Sequence, residues 1–184
     1  MITLLEYILL GMLMEGTMSG YDLKKTIDST VGTFYKASYG SLYPALKRLA
    51  EKDMVTLTET DNSKNKKLYT LLPSGQKAFL DWLSGPMQTG RNEQLIRIFF
   101  FDYLDEDLRQ KRLAEYIFKL DQEIHMLEAV QNVVTGELAE IEHPENYYYR
   151  VSVLAYGLNH FQMERQWLKD IMERKDLNHV KPEN

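Results

Sequence analysis

The sequence predicts a mostly α-helical chain with one small β-hairpin, organised in two parts. Three observations lead there. Apolar residues recur at helical spacing over most of the 184 residues. The period shortens to two only over VTLTET (55–60) and LYTLL (68–72), on either side of the polar, lysine-rich DNSKNKK. Charge is uneven as well: residues 1–85 hold ten Lys+Arg and nine Asp+Glu, a net of +1, and residues 86–184 hold twelve and eighteen, a net of −6.

Composition excludes several classes. Hydrophobic residues are 44% and charged residues 27%, the balance of a globular protein rather than a disordered one. The longest apolar run, LLEYILLGMLM, is interrupted by Glu6 and is too short to cross a bilayer. The start lacks the basic segment and small-residue cleavage site of a signal peptide. Without cysteine there is neither a disulfide framework nor a thiolate metal site. The expectation is a cytoplasmic protein with no membrane partner, no metal and no cofactor.

Each element follows in order. Thr3 with Glu6 three residues later is a capping box, opening a helix over 3–16 whose apolar face is Leu4, Leu5, Ile8, Leu9, Met12 and Leu13. Gly16 is a helix stop. Ser19 caps a second helix with Leu23 and Ile27 inward. The third helix lies in SYGSLYPALKRLAEKDM (38–54), with Leu42, Ala45, Leu46, Leu49 and Ala50 on one face. The hairpin follows, with Val55 and Leu57 sharing a face. Pro73 ends it, Ser74 caps GQKAFLDWLS, and Gly85-Pro86 closes the unit.

Three helices followed by a hairpin, within residues 1–85, is the order of a winged helix-turn-helix. In that arrangement the third helix reads DNA with its N-terminal residues. This explains an otherwise expensive helix start, in which serine, glycine, tyrosine and proline stand where strong helix formers are expected. Ser38, Gly40 and Ser41 are small and allow close approach to DNA, and the unpaired N–H groups of a first turn suit phosphate. Tyr39, Tyr43 and Lys47 follow at i, i+4 spacing beside the apolar face. Pro44 is easiest to place near a helix start, which favours Ser41 as N-cap, with Ser38 the alternative. Tyr43 reads equally well as a partly buried core residue. Lys64, Lys66 and Lys67 give the hairpin loop a charge suited to phosphate.

The stretches SGYDL (19–23), SYGSLYPALKRLAEKDMV (38–55) and KKLYTLLPSGQKAFLDWL (66–83) resemble the PadR family of bacterial transcription regulators. The second carries that family's Gly-Ser-Leu/Ile-Tyr-Pro-x-Leu-x-x-Leu reader. The third is similar to its wing strand, Tyr-x-Leu-Thr-x-x-Gly, with Leu72-Pro73 departing from it. The likeness is specific over residues 3–85. Beyond that it is a general likeness to the subfamily with long C-terminal domains, which includes repressors responsive to phenolic acids. It implies a homodimer on a pseudo-palindromic operator, usually as a repressor, with Ser38, Tyr39, Gly40, Ser41, Tyr43 and Lys47 facing DNA and the wing lysines reaching phosphates or the minor groove.

Residues 86–184 read as a helical dimerisation domain. NEQLIRIFFFDYL (92–104) is a short helix. Asp105 caps a long one with a seam at Leu113, Ile117, Leu120, Ile124 and Leu127, interrupted at Gln131 and resumed at Val134, Leu138 and Ile141. HPEN (143–146) breaks the chain. The last helix repeats the seam at Tyr147, Val151, Leu154, Leu158 and Phe161, then Leu168 and Met172. Phe118, Tyr148, Ala155 and Trp167 lie off the seams and are available to a second subunit. Crowded aromatics suggest a site between the domains for a small aromatic effector, with His160, Arg165 and Trp167 as its residues; a His160–Glu164 i, i+4 pair is the plainer reading.

An enzyme is the first rival. The chain has no GxSxG, no phosphate-binding glycine loop and no HExxH, and its histidines 125, 143, 160 and 179 are scattered. A winged helix used as a protein-docking adaptor, or an activator without effector, are the others. The basic wing and the unusual reader argue against the adaptor.

Overall fold

The structure is a computed structural model and describes residues 1–59, 67–86 and 90–175, apart from the side chain of Arg91. It forms two compact units, Met1–Leu108 and Arg109–Asn184.

The first unit is built around α1 (Leu4–Leu13). The Thr3–Glu6 capping box forms: the Glu6 N–H donates to Thr3 Oγ1 at 3.3 Å and the Thr3 N–H to Glu6 Oε2 at 2.8 Å. Leu10 and Gly11 are buried along with the expected face, of which only Leu4 is half-buried, so nearly the whole girth of the helix is covered. Gly11 is required by close packing, because a Cβ there would lie 2.6 Å from the Phe100 ring and 2.8 Å from that of Phe79.

A two-residue strand, β1 (Met18–Ser19), precedes α2 (Gly20–Ser29), which Ser19 caps reciprocally with Asp22. Helix α3 (Tyr39–Glu51) leads into β2 (Val55–Glu59) and β3 (Lys67–Leu71). The sheet is antiparallel in the order β1-β3-β2 and places Leu57 opposite Tyr69 and Glu59 opposite Lys67. Helix α4 (Pro73–Ser84) starts two residues earlier than expected. Leu72 is its N-cap and Pro73 fills the first helical position, where a missing N–H costs nothing. Ser74 therefore does not cap; its hydroxyl donates to the Asp53 carbonyl.

The first unit extends past residue 85. Helix α5 (Arg91–Phe99) and a 3-10 turn (Phe101–Tyr103) replace the single helix expected over 92–104. The tightened turn lets the consecutive Phe100 and Phe101 both be buried, with Phe100 edge-on to Phe79 at 5.2 Å. Arg97, also buried, donates to the carbonyls of Gly85 and Pro86 and to Glu93.

The second unit consists of α6 (Glu106–Ala139) from Arg109 onward and α7 (Tyr148–Met172), with a 3-10 turn over Pro144–Tyr147 between them. Asp105 caps α6 as expected, accepting from the Leu108 N–H at 2.8 Å. The helices run antiparallel: Gln110 donates to the Met172 carbonyl at 3.1 Å, Tyr116 to Glu164 at 2.6 Å, and Arg165 to Asp121 at 2.9 Å. Leu113, Tyr116, Leu120, Ile124 and Leu168 are buried. Past Ile124 the α6 seam is at best half-buried, and Met126, Val130 and Val133 are exposed.

Candidate nucleic-acid interface

The N-cap of α3 is Ser38, the alternative, and not the favoured Ser41. Ser38 Oγ accepts from the Ser41 N–H at 3.2 Å, Ser41 Oγ accepts from the Ser38 N–H at 3.1 Å, and the Ser41 hydroxyl donates to the Ser38 carbonyl at 2.9 Å. Pro44 thus sits inside the helix. The bond it cannot make is to the carbonyl of Gly40, an exposed residue, so solvent can serve that oxygen. A reciprocal two-serine cap compensates for a poor helix sequence while leaving both side chains at the surface.

One stripe of α3 is core: Leu42, Ala45, Leu46 and Leu49 are fully buried. Beside it Tyr39 and Tyr43 are 46% and 45% exposed and stack with centroids 6.0 Å apart. Tyr43 is therefore not a core residue. Lys47 continues the stripe, with Glu51 at 3.7 Å. Gly20 sets the place of Tyr43, since a Cβ there would meet Tyr43 Cε1 at 2.6 Å.

Beneath the other end of α3 lies Glu6, a buried carboxylate that accepts from Arg48 Nε at 2.6 Å and has Lys52 Nζ at 3.8 Å. It joins the start of α1 to the last turns of α3. Burial disfavours its charge, but the Thr3 N–H, the Arg48 hydrogen bond and the Lys52 and Arg48 charges outweigh burial and hold its pKa below the ordinary 4.5. A depressed folded-state pKa contributes stability above the ordinary value, and this is lost as pH falls through the lowered one. Glu6→Gln is expected to destabilise by about 1–2 kcal/mol at neutral pH, with the deficit shrinking in acid. Denaturant unfolding of both proteins at the two pH values checks this; an equal deficit at both would mean that the charge contributes nothing.

Of the wing lysines, Lys64 and Lys66 lie outside the described residues. Lys67 opens β3, exposed, with Glu59 at 3.5 Å. Leu57 shares the Val55 face as expected; Val55 is buried and Leu57, further along that face, is 41% exposed. Three further residues escaped the sequence reading. Tyr21, Lys24 and Lys25 of α2 flank the start of α3, with Lys24 Nζ 5.7 Å from the Tyr39 ring centroid and bonded to Asp28. Their signal was present in SGYDLKK, where they fall off the Leu23–Ile27 face.

On α7, His160 has Glu164 at 3.7 Å and stacks against Tyr156 at 6.0 Å. Arg165 is engaged with Asp121, and Trp167 is half-buried. Among the described residues no three His, Cys, Asp or Glu side chains converge as a metal site, and no helix is long and apolar enough to cross a membrane.

Comparison with known proteins gives two family matches. The transcriptional regulator PadR-like family matches residues 9–81, and the virulence activator alpha C-terminal family matches residues 90–175. The negative transcriptional regulator PadR of Bacillus subtilis is 32% identical over 124 residues, which are 60% of this chain and 68% of the relative. Solved structures of B. subtilis PadR with operator DNA (26% identity, TM-score 0.45, 95% of this chain and 100% of that one) and with p-coumaric acid (24%, 0.43, 95% and 99%) are similar. By its identity to B. subtilis PadR over two thirds of that protein, together with the family match over residues 9–81, this chain belongs to the PadR-like family, whose members are DNA-binding transcriptional regulators and not enzymes.

Proposed function

We propose that this protein is a cytoplasmic repressor that binds a pseudo-palindromic operator as a homodimer, with residues 1–85 as the DNA-binding domain and 86–184 as the dimerisation and effector domain. The observation that carries the reading is the exposed stripe of α3. Ser38, Gly40 and Ser41 present a compact, polar first turn, and Tyr39, Tyr43 and Lys47 continue it along one side while the opposite side is core. A helix with this division can enter a major groove without disturbing its own packing. Repression is supported by the 32% identity to a negative regulator.

Dimerisation is supported by the apolar surface of the second unit. Phe118, Met126, Val133, Tyr148, Val153 and Tyr156 are all more than half exposed on two adjacent helices, more than a solitary hairpin should leave in water. The effector reading is supported by the row of rings on α7, the exposed Tyr156 beside the half-buried His160 and Phe161, which offers ring faces and an imidazole to an aromatic acid. Arg165 would join it by exchanging Asp121 for the ligand carboxylate.

Activation is a second reading, favoured by the match of residues 90–175 to a family named for a virulence activator. One experiment separates the possibilities. Selection of bound DNA from a random pool is expected to return two-fold-related half-sites with centres about 34–36 Å apart or a multiple of that. A reporter carrying the selected sequence should then be silenced by the protein and restored by one member of a panel of aromatic acids. Enhanced expression would establish the activator, and failure to enrich any sequence would remove the operator reading.

A further inference from the structure

Glu6 interrupts an otherwise apolar first helix, and its place as cap partner of Thr3 explains only part of its surroundings. A capping glutamate can do its work at the surface. This one is fully buried, one of two buried carboxylates among the described residues; the other is Glu164. One oxygen serves the cap, accepting from the Thr3 N–H at 2.8 Å. The other accepts at 2.6 Å from Arg48 Nε, 42 residues away on α3. Lys52 Nζ stands 3.8 Å from the cap oxygen and also donates to the Met1 carbonyl at 3.3 Å.

Stability is a weak reason for such an arrangement. Removing one partner of a buried ion pair costs stability, yet an apolar pair of the same size often serves a fold as well or better. What the ion pair supplies is direction. The core stripe of α3 is Leu42, Ala45, Leu46 and Leu49. Apolar burial is non-directional. A helix seated on it alone is held less firmly against rotation about its own axis than one that also carries a hydrogen bond of fixed geometry. That bond is itself well anchored, because the Thr3 cap ties the Glu6 carboxylate to the start of α1.

Rotation is what a reading helix tolerates least. At a radius of about 5–6 Å, a turn of about 10° moves the end of a side chain by about 1 Å, enough to take a hydrogen bond out of range. Helix α3 is continuous from Tyr39 to Glu51, so the azimuth that Glu6 gives Arg48 is passed on to Ser41, Tyr43 and Lys47. We propose that Glu6 is a positioning residue for DNA recognition: it holds α3, through Arg48, at the rotation that sequence reading requires, without touching DNA itself. The proposal rests on the reading of α3 as the DNA-binding helix. Attraction to phosphate acts over a longer range and survives a small rotation, whereas base contacts do not. The effect therefore falls on preference between sequences, not on affinity for DNA at large.

The test is a ratio of affinities of the full-length protein, for a sequence it selects from a random pool and for an unrelated duplex of equal length, measured well below every melting temperature. Glu6→Gln and Arg48→Met are each expected to lower that ratio about tenfold. Glu6→Met combined with Arg48→Met should lower it by no more than either change alone. The charge lost with Arg48 weakens both duplexes alike and cancels in the ratio. The double variant replaces the pair by apolar chains, so it should melt close to the parent while reading poorly. Leu83→Ala, buried in α4, should melt earlier with a parental ratio. A parental ratio for Glu6→Gln overturns the proposal. So does recovery of the ratio in the double variant, or an equal loss in Leu83→Ala, since either would make stability the cause. A loss in Arg48→Met that Glu6→Gln does not share overturns it too, because Arg48 would then be touching bases. Failure of the parent to prefer any sequence removes the operator reading, and the positioning role falls with it.

Discussion

Ser41→Glu is expected to abolish operator binding while leaving the protein as stable as the parent or slightly more so. The two halves of this expectation come from one position. Ser41 is the third residue of α3, and its hydroxyl already closes a reciprocal cap with Ser38. Glutamate at that place, three residues after a serine N-cap, is the preferred partner in such a cap. Its charge also lies at the favourable end of the helix dipole, worth a few tenths of a kcal/mol. The substitution therefore suits the helix. On DNA the same carboxylate would face phosphate, where like charge costs several kcal/mol, so affinity should fall at least about a hundredfold. Ser41→Ala, which loses one side of the cap without adding charge, should bind far better than Ser41→Glu although it melts earlier. Melting curves and gel shifts on the three proteins check the pair of expectations together. Normal binding by a folded Ser41→Glu protein would take this helix out of the interface.

The gain in stability was not legible in the sequence, where Ser41 is favoured as N-cap and Ser38 is the alternative. Pro44 argued for a start at Ser41, since proline is tolerated in a first turn. The observed start at Ser38 places proline deeper, and the lost bond falls on the exposed Gly40, where it is cheap. Local signals were otherwise good guides. Thr3–Glu6, Ser19–Asp22 and Asp105 cap as their spacing indicates, because a cap is a contact across three residues. Contacts across long separations were not legible. β1 is two residues that pair with Tyr69 and Leu68, and no period shows in a pair. How far Leu57 is covered was not legible for a related reason. Alternation gives the face a residue is on, but not where along that face the covering helix ends. The break at Phe100 has the same origin: a run of three phenylalanines fits a helix until two consecutive rings must both reach the core.

Ending the chain after Glu142, which removes α7, is expected to convert the protein to a monomer and to lower its preference for operator over random DNA by about a thousandfold. α6 is a 34-residue helix whose buried side chains Leu113, Tyr116, Leu120 and Ile124 are covered on the side where α7 runs. Without α7 the Tyr116 hydroxyl loses Glu164 and Asp121 loses Arg165. The exposed set on α7, Tyr148, Val153 and Tyr156, goes as well, leaving Phe118, Met126 and Val133 with half of the surface they are proposed to pair through. The winged helix has its own core around α1 and should stay folded, so salt-sensitive nonspecific binding should survive. What is lost is the simultaneous engagement of two readers. One reader offers few base contacts, and a second on the same rigid body adds its contacts without a second loss of translational freedom. Light scattering on the full and shortened chains, with binding to duplexes carrying one or two selected half-sites, measures both effects. In the full protein the second half-site should raise affinity steeply, and in the shortened one hardly at all. A shortened chain that remains dimeric and keeps the advantage of two half-sites would place the dimer contact on α6 alone and reduce α7 to a cover for its core.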